Sequence, residues 1–369
     1  MNEENILYTL ALQRASKIGD VTAKKLIQHC GSPKAIFQSK PSSLQTINGI
    51  GSHLTRFLKD TPTLLKAAEK ELNYIQKNNI QTYYFEDNNY PKRLKNCIDG
   101  PILLFGAGNI NLNNPKIISI VGTRNITAHG KAFCEQLVEE LSILSPIIVS
   151  GFAYGVDITA HKAAIKNKLQ NIGCLAHGLN QIYPKVHKTY MHQVEENGGF
   201  LTEFWSDSNP DRENFIKRNR VIAGLSEATI VVESAEKGGS LITADIANSY
   251  NREVFAISGR PTDKFSLGCN NLIKQQKAQL ITNAADVIYM LNWDVKVNQK
   301  IIQPQLFIDL NETEEKIINY LKIEEKAHLD AIAIACQIPI YSLSGTLLNL
   351  ELKGLIRPHP GKLFELIGF

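Results

Sequence analysis

The sequence predicts an α/β fold: a doubly wound, mostly parallel sheet, with a small all-α unit before it and a unit of three helices and a hairpin after it. Three observations carry this. Between residues 117 and 257 apolar runs recur, each followed by a glycine-bearing polar turn. Ile117–Val121 ends in Gly122-Thr123-Arg124, residues 147–149 end in Ser150-Gly151-Phe152-Ala153-Tyr154-Gly155-Val156-Asp157, and residues 229–232 precede Lys237-Gly238-Gly239-Ser240. The turns lead into segments with helical spacing at 130–144, 158–168 and 241–250. Repeated strand, glycine turn and helix is the pattern of a doubly wound parallel sheet. Finally, 369 residues suffice for two or three domains.

In such a sheet ligands bind at the carboxyl ends of the strands. Helix N-termini there offer unpaired N–H groups and partial positive charge, which suit phosphate. Glycine lets the backbone approach an anion closely. A pocket for a phosphate-bearing ligand follows, and a nucleotide and a polymer satisfy this chemistry equally.

The apolar fraction of 43% and the charged fraction of 21% are those of an ordinary soluble protein. A net charge of +4 and a pI near 8.6 permit nucleic-acid binding without requiring it. Cys30, Cys97, Cys134, Cys174, Cys269 and Cys336 are far apart, with no CxxC pair, so buried free thiols in a reducing compartment are expected. Glu3 and Glu4 interrupt any basic-then-apolar leader, and the longest uncharged run, 141–156, is too short and broken for a bilayer. These features predict a cytoplasmic protein without a membrane. Gly151, Gly155 and Asp157 lack GxGxxG spacing, and His187 and His192 lack HExxH spacing and a third ligand, so neither cofactor nor metal is expected.

In chain order, residues 1–61 form the all-α unit. Two similar patterns, Ile18-Gly19-Asp20-Val21-Thr22-Ala23-Lys24-Lys25-Leu26 and Ile47-Asn48-Gly49-Ile50-Gly51-Ser52-His53-Leu54, each set a glycine turn before a helix. This resembles the helix-hairpin-helix module, whose N–H groups hold a DNA phosphate without reading sequence. Lys24, Lys25, Arg56 and Lys59 supply positive charge nearby. The same glycines also suit a helical domain that merely turns corners. The core follows at 62–293, opening with a helix at 62–77 and strands at 82–85 and 102–105 that extend the sheet at its edge.

Within the core, Arg124 beside its glycine turn can fork two N–H groups onto a phosphate. Asp157 is expected to cap the helix starting at Ile158, and His161 to be a structural histidine. A strand at 173–177 leads to Tyr183-Pro184-Lys185-Val186-His187-Lys188, a turn exposing Lys185, Lys188 and His187 on the rim that carries Arg124. In Phe215-Ile216-Lys217-Arg218-Asn219-Arg220, Lys217 and Arg220 share a helix face. Arg220 and Asn219 precede an apolar run that must be buried, and a near-buried arginine needs an anion: Glu203, Glu233 or a ligand phosphate. The Lys237-Gly238-Gly239-Ser240 turn has the chemistry to close that site.

Residues 294–308 read as a linker. In 309–369, helical spacing at 313–321, 329–336 and 342–353, then a hairpin through Pro360-Gly361, gives a winged-helix pattern. Along its third helix, residues 341–352 offer no Arg or Lys and carry Glu351, which favours protein docking or regulation over base readout.

Together these motifs resemble the DNA-processing protein A family (DprA, also called Smf). The matching residues are Val121-Gly122-Thr123-Arg124, Ser150-Gly151 with Ala153, Gly155 and Asp157, Tyr183-Pro184, Phe215 with Arg218-Asn219-Arg220 and Gly224-Leu225-Ser226, Gly239-Ser240-Leu241-Ile242-Thr243-Ala244, and Gly268-Cys269-Asn270 with Leu272-Ile273. The resemblance implies a non-catalytic mediator that binds single-stranded DNA, forms a homodimer and loads RecA recombinase during natural transformation. It implies a Rossmann-like core, places Arg124, Asn219, Arg220, Gly239 and Ser240 on motifs that line the family's DNA pocket, and puts Lys185 and Lys188 in a basic loop; Gly122, Ser150, Gly151, Arg218 and Lys237, on or beside the same turns, complete the candidate single-strand-binding set. His187 replaces the family's usual Asn after Tyr-Pro, which bears on the geometry of that loop. The other reading is a nucleotide-binding or nucleotide-hydrolysing enzyme with Glu233 as its acid, an analogy at the level of fold.

Overall fold

The computed structural model describes residues 3–58, 60–293, 310–324, 326–359 and 361–367. The proposed linker, Lys59 and Pro360 lie outside the described residues. The chain divides into two compact units, 1–295 and 296–369.

In the first unit a nine-stranded sheet is formed by β1 (Gln81–Tyr84), β2 (Leu103–Gly108), β3 (Ile117–Val121), β4 (Ile147–Ser150), β5 (Asn171–Cys174), β6 (Gly198–Thr202), β7 (Ala228–Val231), β8 (Glu253–Ala256) and β9 (Gln279–Leu280). The spatial order is β1-β2-β6-β5-β4-β3-β7-β8-β9. All pairings from β6 to β9 are parallel, while β1 and β2 add an antiparallel edge. The chain winds outward from β3 to β6 on one side, then returns to lay β7 on the other, so the winding reverses between β3 and β7.

Alternation in β3 accounts for both faces being covered. Ile117 and Val121 belong to one apolar cluster with N-terminal residues such as Leu10, Leu12 and Leu26, whereas Ile118 and Ile120 belong to a second with Leu137, Val156, Ala160 and Phe255. The N-terminal helices, beginning with Glu3–Arg14 and Asp20–Cys30, thus share one apolar cluster with a face of the sheet. Polar links reinforce this packing: Asp20 Oδ1 accepts from Ile102 N at 2.8 Å, and Glu71 accepts from both Ser206 N and its hydroxyl at 2.7 Å.

Some expectations shift. β5 starts at Asn171, before the expected Gly173. β6 went unrecognised because it opens on Gly198-Gly199 and offers only a short apolar run. In the first hairpin, the Lys24 ammonium donates to the carbonyls of Cys97 and Ile98 at 3.2 and 3.3 Å. Burial lowers its pKa, and Asp20 opposes that. One of the two lysines after the first glycine turn is thereby engaged with the chain's own backbone.

The second unit holds helices Glu312–Glu324, Leu329–Cys336 and Ile340–Leu352, around Ile317, Leu321, Ile332, Leu343, Leu347 and Leu350. The expected hairpin forms from β11 (Ile356–His359) and β12 (Leu363–Leu366), and β10 (Lys326–His328) adds an unexpected third strand on the far edge of β12. Among the described residues no single helix is long and apolar enough to cross a membrane.

Candidate nucleic-acid interface

A cleft of about 400 Å³ opens at the carboxyl ends of β3 and β7, where the winding reverses. Its walls are the Gly122-Thr123-Arg124 turn, the Lys237-Gly238-Gly239-Ser240 turn and a third loop bearing Lys264 and Phe265. Reversal of winding draws the loops after β3 and β7 apart, which creates the crevice.

The floor is built from helix Arg212–Leu225, through Phe215, Arg218, Asn219 and Ile222. Arg218 is buried. Its Nη1 donates to the carbonyls of Gly151 at 2.6 Å and Cys174 at 2.5 Å, and its Nε donates to Asn219 Oδ1 at 3.2 Å. One guanidinium thereby ties together the ends of β4 and β5. Burial lowers its pKa, while Asp157 opposes that; burial conversely raises the Asp157 carboxyl, with Arg218 opposing. A Cβ at position 151 would lie 2.6 Å from both Arg218 Nη1 and Asp157 Oδ2, so any larger residue there would displace this buried pair.

Helix Gly239–Ser249 points its N-terminus into the cleft, and no side chain caps it. Its first N–H groups have no intrahelical partner, and the helix dipole adds positive potential there. Ser240 Oγ donates to Ser234 Oγ at 2.9 Å, and Asn219 Nδ2 donates to the Gly239 carbonyl at 3.4 Å, which fixes this terminus over the floor. Arg124, Lys237 and Lys264 are exposed around it, and among the described residues none of the three forms an ion pair. The Arg124 guanidinium lies 5.3 Å from the centre of the Phe215 ring.

Glu233 has a different task. Its Oε2 accepts from Thr127 N at 2.9 Å and its Oε1 from Thr127 Oγ1 at 2.5 Å, at the start of helix Ala128–Leu141. A Cβ at Gly130 would lie 2.4 Å from this carboxyl, so the glycine admits it. The carboxylate occupies the helix N-terminus after β3, leaving Gly239–Ser249 as the one open toward the cleft among these two.

The structure thus brings Gly122, Arg124, Arg218, Asn219, Lys237, Gly239 and Ser240 into one site. Ser150 and Gly151 support it from beneath; Ser150 Oγ donates to the Ile120 carbonyl at 2.6 Å. Lys185 and Lys188 are exposed on the neighbouring loop, whose Tyr183 ring stands 5.8 Å from that of Phe215. His187, expected to be exposed, is buried: its Nδ1 faces the Phe152 carbonyl at 3.0 Å, and the ring packs on Phe152 and Tyr154. Asp157 is not a helix cap, since the helix Val156–Lys166 begins before it and its carboxylate accepts from Ala153 N at 3.3 Å. His161 is structural as expected, buried with Nδ1 3.0 Å from Asn171 Oδ1 and its pKa lowered to about 4 by burial.

Arg220 lies elsewhere. It pairs with Glu203 and with Asp20 Oδ2, the latter at 2.9 Å, in a second cavity beside the N-terminal helices. Lys217 shares that face, as expected, but the face looks away from the cleft. Lys264 escaped the sequence reading. It follows β8 through Ser258-Gly259-Arg260-Pro261, and the rule of a glycine turn after a strand would have found it.

The family model for DNA recombination-mediator protein A matches residues 81–292, and that for the DprA winged helix domain matches 304–362. The chain belongs to the DprA family. Protein Smf of Synechocystis is 29% identical across 97% of this chain and 98% of its own length. The solved structure of DNA processing protein A (DprA) from Streptococcus pneumoniae superposes with a TM-score of 0.64 at 28% identity, covering 78% of this chain and 98% of that one. A Helicobacter pylori DNA processing protein A structure, described as giving insight into a unique single-stranded DNA binding mode, has a TM-score of 0.53 at 30% identity and covers 58% of this chain and 95% of that one.

Proposed function

We propose that this chain is a non-catalytic mediator that binds single-stranded DNA in the β3–β7 cleft. The observation that carries the reading is the placement of Arg124, Lys237 and Lys264, which form no ion pair among the described residues, around the uncapped N-terminus of helix Gly239–Ser249. In this reading the cations and the N–H groups of Gly239 and Ser240 hold the sugar-phosphate backbone. Phe215 and Tyr183 offer ring surfaces to bases, and Lys185 and Lys188 extend the basic track along the rim. Few groups are available to read base edges, so binding is sequence-tolerant and salt-sensitive.

The DNA mode described for the Helicobacter pylori relative supports the same ligand here. In this proposal the protein protects incoming strands in the cytoplasm and loads RecA onto them during transformation and recombination. A homodimer lets two clefts hold one strand and raises avidity through effective concentration. The division of labour assigns DNA to the core at 62–293, with 1–61 and 309–369 as accessory domains joined by 294–308. The nucleotide-hydrolase reading loses support because both oxygens of its acid, Glu233, are engaged by Thr127.

The deciding experiment measures affinity of the purified full chain for single- and double-stranded oligonucleotides across a salt series. Preference for single strands with a steep salt dependence is expected. Equal binding to duplex, or sustained turnover of nucleotides by the same preparation, overturns the proposal.

A further inference from the structure

The third helix of the C-terminal unit, Ile340–Leu352, has two apolar faces. Leu343, Leu347 and Leu350 are buried in the unit's core. On the opposite side Tyr341, Leu348 and Leu352 are 88%, 54% and 78% exposed. Gly345 completes this outer stripe, and a Cβ built on it meets nothing within 4 Å, so it forms an open notch. Spacings of four, three and four residues align Tyr341, Gly345, Leu348 and Leu352 along one line of the helix. Ser342 and Asn349 flank the stripe on one side, Ser344 and Glu351 on the other, all exposed. Clustered exposure of this kind on one helix face marks an interaction surface.

We propose that this stripe pairs with the same stripe of a second copy of the chain, antiparallel, about a two-fold axis between Thr346 and Leu347. The spacing makes the stripe self-complementary. About that axis Tyr341 falls opposite Leu352 of the other copy, and Leu348 falls opposite Gly345, so a leucine knob meets a glycine notch twice. Such reciprocity is what a two-fold interface demands, and a notch lets helices approach to the short end of the usual 8–10 Å spacing. The flanks agree: Ser344 of one copy neighbours Glu351 of the other, and the two Glu351 carboxylates fall at opposite ends. The helix lacks Lys and Arg, so nucleic acid is a poor occupant. One helix stripe offers less than the roughly 800 Å² per partner of a stable complex. The contact therefore acts between chains already held close, where effective concentration is high. The proposal rests on the homodimer proposed above, and not on which ligand the cleft takes.

Cysteine crosslinking of full-length chains tests it. In the antiparallel register the two copies of residue 341 stand about 16 Å apart along the helix, as do those of residue 352, at 1.5 Å rise per residue. Mild oxidation of a Tyr341→Cys and Leu352→Cys mixture is expected to give a disulfide-linked pair that neither variant gives alone. Adding Leu348→Glu to both chains should lower the yield at least tenfold; this residue is exposed, so melting curves should show the fold retained. Absence of a link specific to the mixture, or equal linkage of each variant with itself, overturns the proposal and leaves the face to a different partner.

Discussion

Arg124, Arg218 and Arg220 show how one residue type takes three roles within one motif set. Arg218 is buried among carbonyl oxygens and positions strand ends. Arg220 is held by two carboxylates, and Arg124 stands exposed at the cleft beside the Phe215 ring. Replacing Arg124 or Lys264 with alanine is expected to weaken single-strand binding uniformly across sequences, each reducing the salt slope by about 0.7; fluorescence anisotropy at several salt concentrations checks this. Arg220→Ala should act on stability. Removing one partner of a buried pair strands the others, at a cost of about 3 kcal/mol. Denaturant melts should report that loss, while DNA affinity of the folded fraction stays close to that of the unaltered chain.

Glu203 gives a prediction at the same scale. Its carboxyl is pushed up to about 7, because burial outweighs the attraction of Arg220 and Asp20 adds a like charge. An unfolded glutamate titrates near 4.3. The fold thus retains a proton that the unfolded chain has released between those values. Stability from this group is full below about 4.3 and is lost as pH rises through about 7. Thermal melts should show the unaltered chain losing ground relative to Glu203→Gln between about pH 5 and about pH 8. His161, which shifts in the opposite sense, is common to both proteins and cancels.

At the scale of elements, helix Arg212–Leu225 partitions two cavities. Phe215, Arg218, Asn219 and Ile222 face the cleft, while Ile216, Lys217 and Arg220 face the N-terminal helices. Helical phase separates these two sets in the sequence, but nothing local says which set meets which neighbour. The two helix N-termini after β3 and β7 make the same point. One is filled by Glu233 and the other is open, although both follow a strand and a glycine turn. Glu233 lies 106 residues from Thr127 along the chain, beyond any local pattern.

For the whole molecule, the expected mode of binding sets a salt dependence. Three phosphates neutralised by Arg124, Lys237 and Lys264 give a slope of log affinity against log salt of about −2 for single strands. A slope near zero would remove these cations from the interface. The N-terminal helices extend the apolar cluster on one face of the sheet, and Arg220 links Asp20 to Glu203 at that junction. The Arg220 variant should therefore also increase hydrogen exchange in helix Asp20–Cys30, where docking is lost.

The sequence by itself determined the strand-turn-helix repetition, the parallel core, the three-helix and hairpin unit, and the cluster of cationic glycine turns. Those features rest on periodicity and on local backbone demands, which act over a few residues. Tertiary structure alone decided that Arg220 faces carboxylates, that Glu233 closes a helix end, that His187 is buried and that Lys264 joins the site. The physical reason is distance along the chain. A charge is assigned its partner by whatever the fold brings within a few ångströms, and in this protein those partners come from other strands and helices.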